Sequence, residues 1–188
     1  MRLPWNHHLL LAVSILASLS SPATLASTLP RSRARAERAH TFSVARPLAE
    51  SFIFFEPIGE KLWAEGWQPT FLSSADSILH EGSAFLVPAL SPTGSPIEAV
   101  WTVSRYEPPH RIEYRNFLPG VRTTKITVQC VADGPDRTRV SVRYVYHAIS
   151  DEGDAFVGQM TEEKFRAMID SWQVAIAAYL RRGAPAST

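Results

Sequence analysis

From His40 onward the apolar positions follow first one period and then another, and the change of period marks the elements. In His40–Arg46 (HTFSVAR), Phe42 and Val44 alternate with Thr41 and Ser43, which predicts a short half-buried strand. Pro47 ends that strand and can open a helix, because its missing N–H would lack a partner in the first turn anyway. Leu48–Phe55 and Ile58–Trp63, divided by Pro57, predict two short helices whose Phe52, Phe55, Leu62 and Trp63 can seat against a sheet. An aromatic corner, Trp63-Ala-Glu-Gly-Trp67-Gln-Pro69, follows, in which Gly66 permits a tight turn and Pro69 stops the helix.

Between Ile78 and His147 the period falls to two. Strands are predicted over Ile78–Val87 with an interruption at Gly82, over Ile97–Tyr106 after a Ser91–Pro96 loop, and over Arg111–Phe117 after Pro108-Pro109. Pro119-Gly120 marks another turn. Ile126, Val128 and Cys130 then share one side of a strand, and Val140, Val142, Tyr144 and Tyr146 one side of its successor. Asp133-Gly-Pro-Asp136 between them is the clearest hairpin in the chain. Neighbours in sequence so closely spaced predict an antiparallel meander.

The last element returns to helical spacing. Phe165, Met168, Ile169, Trp172, Ile176, Tyr179 and Leu180 recur every three or four residues among charged positions. A helix over Thr161–Leu180 would be about 30 Å long, enough to cross a small curved sheet. An earlier start near Asp151 is the alternative, weakened by Gly153 and Gly158. Trp172, four residues after Met168 and four before Ile176, falls on the face that must meet the sheet and is expected to be buried there, lining or closing a cavity.

Composition adds that 188 residues, 45% hydrophobic and 20% charged, suffice for one domain with a substantial core. Nineteen Lys+Arg face eighteen Asp+Glu, but five of those bases and one acid precede His40, leaving fourteen against seventeen beyond it. The basic character therefore belongs to the N-terminal segment, and the acidic domain is not expected to bind nucleic acid. Cys130 stands alone, so neither an intrachain disulfide nor a multi-thiolate metal site can form.

Before the domain, Leu9–Leu19 is apolar apart from serines and is followed by small residues through Ala26, which reads residues 1–26 as a signal peptide with the mature chain starting near Ser27. The run is too short for a stable membrane span. A periplasmic or secreted location follows; a misassigned start codon would leave the domain cytoplasmic, and an organellar presequence is the competing reading. Residues 27–39, with four arginines and no apolar period, read as a solvated linker, with contact to an anionic membrane as the alternative. The domain is then 40–183 and residues 184–188 are a tail.

The order strand, two short helices, strand run and long C-terminal helix comes with local matches: Phe42-Ser-Val-Ala-Arg-Pro47, Ile58-Gly-Glu-Lys-Leu-Trp-Ala-Glu-Gly-Trp67, Ala99-Val-Trp-Thr-Val103 with Tyr106-Glu-Pro-Pro109, and Thr161 to Leu180. Together these resemble the SRPBCC superfamily, also described as START-like or polyketide-cyclase-like, and in particular a bacterial subgroup without an assigned reaction. The resemblance implies an α+β helix-grip fold, a bent antiparallel sheet wrapped around the C-terminal helix and an apolar cavity. Its expected function is binding, transport or sequestration of a small hydrophobic or amphipathic molecule. Trp101, Tyr114, Tyr144, Tyr146, Phe165, Met168 and Trp172 are the candidate ligand-binding residues; the tyrosines and tryptophans among them are large rings with polar handles, which supply both affinity and orientation. The same rings could instead fill a solid core, giving a structural or protein-partner module.

A cyclase or dehydratase is the enzymatic alternative, since a folded polyketone needs only positioning and one acid or base. Glu113, Arg115, His147 and the tyrosines are its candidates, against exposed strand charges and hydrogen-bonded core phenols as the plain reading. His80-Glu81 is not followed by a second histidine at Ala84, and His40, His80, His110 and His147 lack ligand spacing, so no metal is expected. There is no G-x-S-x-G elbow, G-x-G-x-x-G turn or P-loop, so no cofactor is expected either. Cys130 sits in an alternating apolar strand, the place of an inert core thiol. Nothing in the pattern specifies an oligomeric state.

Overall fold

Ten inward positions of four successive strands carry the sheet's apolar face: Val103, Ile112, Tyr114, Ile126, Val128, Cys130, Val140, Val142, Tyr146 and Ala148 are all buried. The computed structural model describes residues 31–72, 78–91 and 93–183. The proposed signal peptide, the first residues of the proposed linker and the 184–188 tail lie outside the described residues. The chain divides into Met1–Arg31 and Ser32–Thr188, and every described element lies in the second unit.

The described strands are β1 (Arg35–Val44), β2 (Thr70–Phe71), β3 (Ala84–Leu90), β4 (Pro96–Glu107), β5 (Arg111–Leu118), β6 (Arg122–Ala132) and β7 (Thr138–Ala148). They form one antiparallel sheet in the order β1-β7-β6-β5-β4-β3-β2. The expected meander is therefore present, and β1 returns to pair with the last strand, Arg35 opposite His147 and Val44 opposite Thr138. The register of β4 on β5 shifts between Val103 and Arg105, a bulge at Ser104.

Two boundaries differ from the expected ones. β1 starts at Arg35, so residues 35–39 of the proposed linker belong to the sheet, and Arg33 beside them pairs with Asp151 and Asp154. The inward positions of β1 there are Ala36, which joins an apolar cluster with Tyr146, Ala148 and Val157, and Arg38 and His40, which break the apolar period because they meet polar groups: Arg38 Nε donates to the Met160 carbonyl at 2.9 Å, and His40 Nε2 lies 2.8 Å from Asp170 Oδ1. The predicted Ile78–Val87 strand instead begins at Ala84 and runs through Pro88 to Leu90. β2 pairs only with Phe85 and Leu86, so Pro88 sits where β3 has become an edge and its missing N–H costs no ladder bond.

The segment between β1 and β2 folds as α1 (Leu48–Phe52), a 3₁₀ turn (Ile53–Phe55) and α2 (Pro57–Glu60). A side chain at Gly59 would place its Cβ 1.7 Å from the Ile53 carbonyl oxygen, so the close turn between these pieces admits only glycine. At the C-terminal end, α3 (Asp151–Gln159) is a helix of its own, separated by Met160 from α4 (Glu162–Arg181). Ser150 caps α3 by accepting from Gly153 N at 3.0 Å, and Thr161 caps α4 by accepting from Lys164 N at 3.3 Å. Gly153, which counted against a helix here, is required by packing: a Cβ would stand 1.9 Å from the Val121 carbonyl oxygen. Phe165, Ile169 and Ile176 are the buried face of α4.

Candidate functional site

The aromatic corner after α2 is held by hydrogen bonds to backbone carbonyls that short helices leave unpaired. Trp63 Nε1 donates to Phe54 O, Trp67 Nε1 to Pro57 O, each at 2.8 Å, and Tyr114 of β5 donates to Phe55 O at 2.7 Å. Tyr106 Oη donates to Glu56 Oε1 at 2.6 Å. These bonds fix α2 above the inward face of the sheet and turn Glu60 toward it.

Beneath α2 lies a cavity of about 110 Å³. The corner's Trp63 and Trp67, the sheet's Trp101, Tyr114 and Tyr144, and Trp172 of α4 form its walls, and Glu60 opens onto it. Trp172 meets Trp63 with ring centroids 5.6 Å apart and Tyr144 at 6.4 Å, so helix, corner and sheet converge on one space. Trp67 and Trp101, edge to face at 5.2 Å, also border a wider cleft of about 540 Å³ along β3, β4 and β5, closed on its far side by Phe156 of α3.

Polar groups facing the small cavity are short of partners. Glu60 is only 9% exposed, and its carboxyl has no hydrogen bond or ion pair among the described residues. Burial alone pushes that carboxyl well above the ordinary carboxylate range, toward the neutral acid. Trp101 Nε1 is buried with no acceptor among the described residues. The Tyr144 hydroxyl likewise has no hydrogen-bond partner among the described residues. Burial drives the phenols of Tyr114 and Tyr144 up, and the Glu60 carboxyl adds to the rise in both, which places the three groups within electrostatic reach of each other.

Of the expected ligand-binding residues, Trp101, Tyr114, Tyr144 and Trp172 line this cavity. Trp172 is partly buried, where full burial was expected, because one side of its ring borders the open space. Three others serve elsewhere. Phe165 is core, packed edge-on against Tyr144 at 5.4 Å; Met168 is partly buried against the same core; Tyr146 is buried against Phe156 and Arg122. Glu60 is not singled out by the sequence, because α2 ends at Glu60 and carries no period that would place its carboxyl with Trp63 and Trp67.

The sheet's alternation places three of the proposed acid–base candidates, Glu113, Arg115 and His147, on the face opposite to Tyr114 and Tyr144. In β5 Ile112, Tyr114, Asn116 and Leu118 point inward, and Glu113 and Arg115 outward. Glu113 there accepts from Lys125 at 2.8 Å, Arg111 at 2.9 Å, Ser104 Oγ at 3.1 Å and Thr127 Oγ1 at 3.3 Å. Burial would raise its pKa, but these donors outweigh burial and hold the carboxyl down at about 2. His147 is exposed on that outer face. Cys130 is buried and its thiol pushed up to about 12 by burial, the condition of an unreactive core residue. Among the described residues no three His, Cys, Asp or Glu side chains gather as a metal site, and no helix is long and apolar enough to cross a membrane.

A curved antiparallel sheet, two short helices after its first strand and a long C-terminal helix over its inward face define the helix-grip fold. Solved structures share it. The Mll3558 protein from Rhizobium loti superposes with a TM-score of 0.56 at 17% identity, covering 77% of this chain and 99% of that one. Norcoclaurine synthase from Thalictrum flavum, in complex with dopamine and hydroxybenzaldehyde, gives 0.56 at 14% identity, covering 82% and 91%. Ara h 8.0201 gives 0.55 at 13% identity, covering 77% and 99%. The helix-grip fold that the resemblance implies is thus the fold this chain has. No protein-family model matches the chain, and no curated protein matches it.

Proposed function

We propose that the protein binds a small hydrophobic or amphipathic molecule between the sheet, the α2 corner and α4. The observation that carries this reading is the convergence of Glu60 and Tyr144, polar groups without hydrogen-bond partners among the described residues, on one aromatic-walled cavity. A folded chain gains nothing by burying unpaired polar groups, whereas a ligand that supplies the matching donors and acceptors recovers their cost. About 110 Å³ accommodates a single ring, and a longer molecule would extend past Trp67 and Trp101 into the adjoining cleft.

Native mass spectrometry after gentle purification, followed by a lipid, isoprenoid and polyketide panel, tests the reading. Retained mass that Trp172→Phe weakens, with its melting temperature unchanged, is the expected result. A consistently empty protein that no panel member stabilises overturns it.

Glu60 favours a second reading, a cyclase- or dehydratase-type reaction in the same cavity. A carboxyl driven toward its neutral form beside two phenols can deliver a proton to a bound carbonyl. Turnover of a polyketide or aromatic precursor that Glu60→Gln abolishes, with binding retained, would establish it. We also propose that residues 1–26 direct export; N-terminal sequencing of the exported fraction should begin near Ser27, and an intact Met1 on a cytosolic product would reject this.

A further inference from the structure

Arg122 opens β6 on the inward face, in the row that continues through Thr124, Ile126 and Val128. Its guanidinium stands 4.8 Å from the ring centre of Phe156 and 5.7 Å from that of Tyr146. Nη1 donates to Asn116 Oδ1 at 2.8 Å and to Thr124 Oγ1, both uncharged. Among the described residues Nε is buried without a partner and no hydrogen bond engages Nη2. None of the ion pairs among the described residues includes Arg122. Burial lowers its pKa, so the protein holds this cation at a cost that no internal carboxylate offsets.

The side chain lines the wider cleft, whose other walls include Val87, Ala99, Leu118, Val121 and Phe156. One cation thus stands in an otherwise largely apolar space of about 540 Å³; the acid among its walls, Glu65, is exposed. Two aromatic faces and two neutral hydrogen bonds fix the plane of the guanidinium, Nε is covered, and Nη2 has no partner among the described residues. Nη2 is the charged donor left to meet a carboxylate. A single positive charge balances a monoanion and would be exceeded by a phosphate monoester.

Resting on the ligand-binding reading above, we infer that the cleft selects an amphipathic monocarboxylate, its carboxylate on Arg122 and its apolar body running along β4 and β5 toward Trp67 and Trp101. The Glu60 carboxyl lies in the smaller cavity, and its burial, which raises its pKa, reduces its repulsion of an anion at Arg122.

Decanoate and decanol are a pair of probes with equal chain length and different heads. Quenching of intrinsic tryptophan fluorescence in the full chain at pH 7.5 reads their affinities, since Trp67 and Trp101 border the cleft. Decanoate is expected to bind about tenfold more tightly than decanol, and Arg122→Gln to abolish that preference while leaving decanol unchanged. Equal binding of both probes to the native protein overturns the inference and leaves the ligand-binding reading standing; binding of neither overturns both. An independent measurement needs no variant: the Arg122 guanidinium resonance of the native protein should move with decanoate and stay still with decanol. A resonance that decanoate leaves in place overturns the carboxylate contact.

Discussion

The two faces of the sheet each bury a glutamate, and they treat it in opposite ways. On the outer face Glu113 is met by Lys125, Arg111, Ser104 and Thr127, and its carboxyl is held charged down to a pKa of about 2. On the inner side Glu60 has no such partner and is driven toward the neutral acid by burial. Arg122 repeats the inner pattern with the opposite sign, a cation among rings with only neutral hydrogen bonds. Polar groups completed by the protein's own side chains belong to the scaffold. Groups left incomplete where the walls are aromatic are the ones available to a bound molecule.

Four substitutions sharpen or break this contrast. The largest loss is expected for Glu113→Gln, which leaves Lys125 and Arg111 facing a neutral amide. Both cations are about a third exposed, so solvent screening reduces the cost to about 2 kcal/mol at neutral pH. The pH dependence has a definite sign. A carboxyl with a depressed folded pKa adds stability above its unfolded value near 4.5, and that contribution is lost as pH falls toward about 2. Urea unfolding across that window should show the acid loss in the native protein and a smaller one in the variant.

Glu60→Gln should act in the other direction. With its folded pKa raised, Glu60 holds a proton that the unfolded chain has released, so stability falls by about 1.4 kcal/mol per pH unit above the unfolded pKa until the folded one is reached. The Gln variant should therefore be more stable than the native protein at neutral pH and equal to it below about pH 4, again by urea unfolding. A variant less stable at every pH would show that Glu60 has an internal partner after all. Tyr114→Phe removes the buried hydrogen bond to Phe55 O and should cost about 1–2 kcal/mol in thermal unfolding, and loosen the α2 corner over the cavity. Arg115→Ala, exposed on the outer face, should change stability by no more than about 0.5 kcal/mol.

How far these faces could be read in advance follows from the period of each element. β4 to β7 and α4 declare themselves because every second, or every third and fourth, inward residue is apolar. The same alternation carries the correction for Glu113, since its neighbours Ile112 and Tyr114 already point the other way. The start of β1 was hidden because Arg38 and His40 occupy inward positions and meet Met160 and Asp170, contacts more than 100 residues away along the chain. Glu60 was hidden for a different reason. α2 spans only Pro57–Glu60, too short for any period, and its orientation is set by indole and phenol hydrogen bonds to carbonyls that no local pattern records. Which of the rings faced open space depended on where α2 came to rest. Trp172 and Phe165 share a helical face, and Trp172 alone borders the cavity.

The pairing of β1 with β7 also sets a timetable. Between Val44 and its partner Thr138 lies the rest of the sheet, so a chain emerging from the ribosome carries β1 without its neighbour until nearly all of the domain has been made. The meander from β3 to β7 can form by successive local hairpins, but α4, whose buried face rests on β1 and on Tyr144 of β7, is made last and docks last. During synthesis the rings that will wall the cavity are therefore open to solvent together, and the nascent domain is at its stickiest just before Arg181 is added. A chaperone that holds the chain in that interval, or a translocation machinery that takes it before closure, would meet it with the whole inward face uncovered.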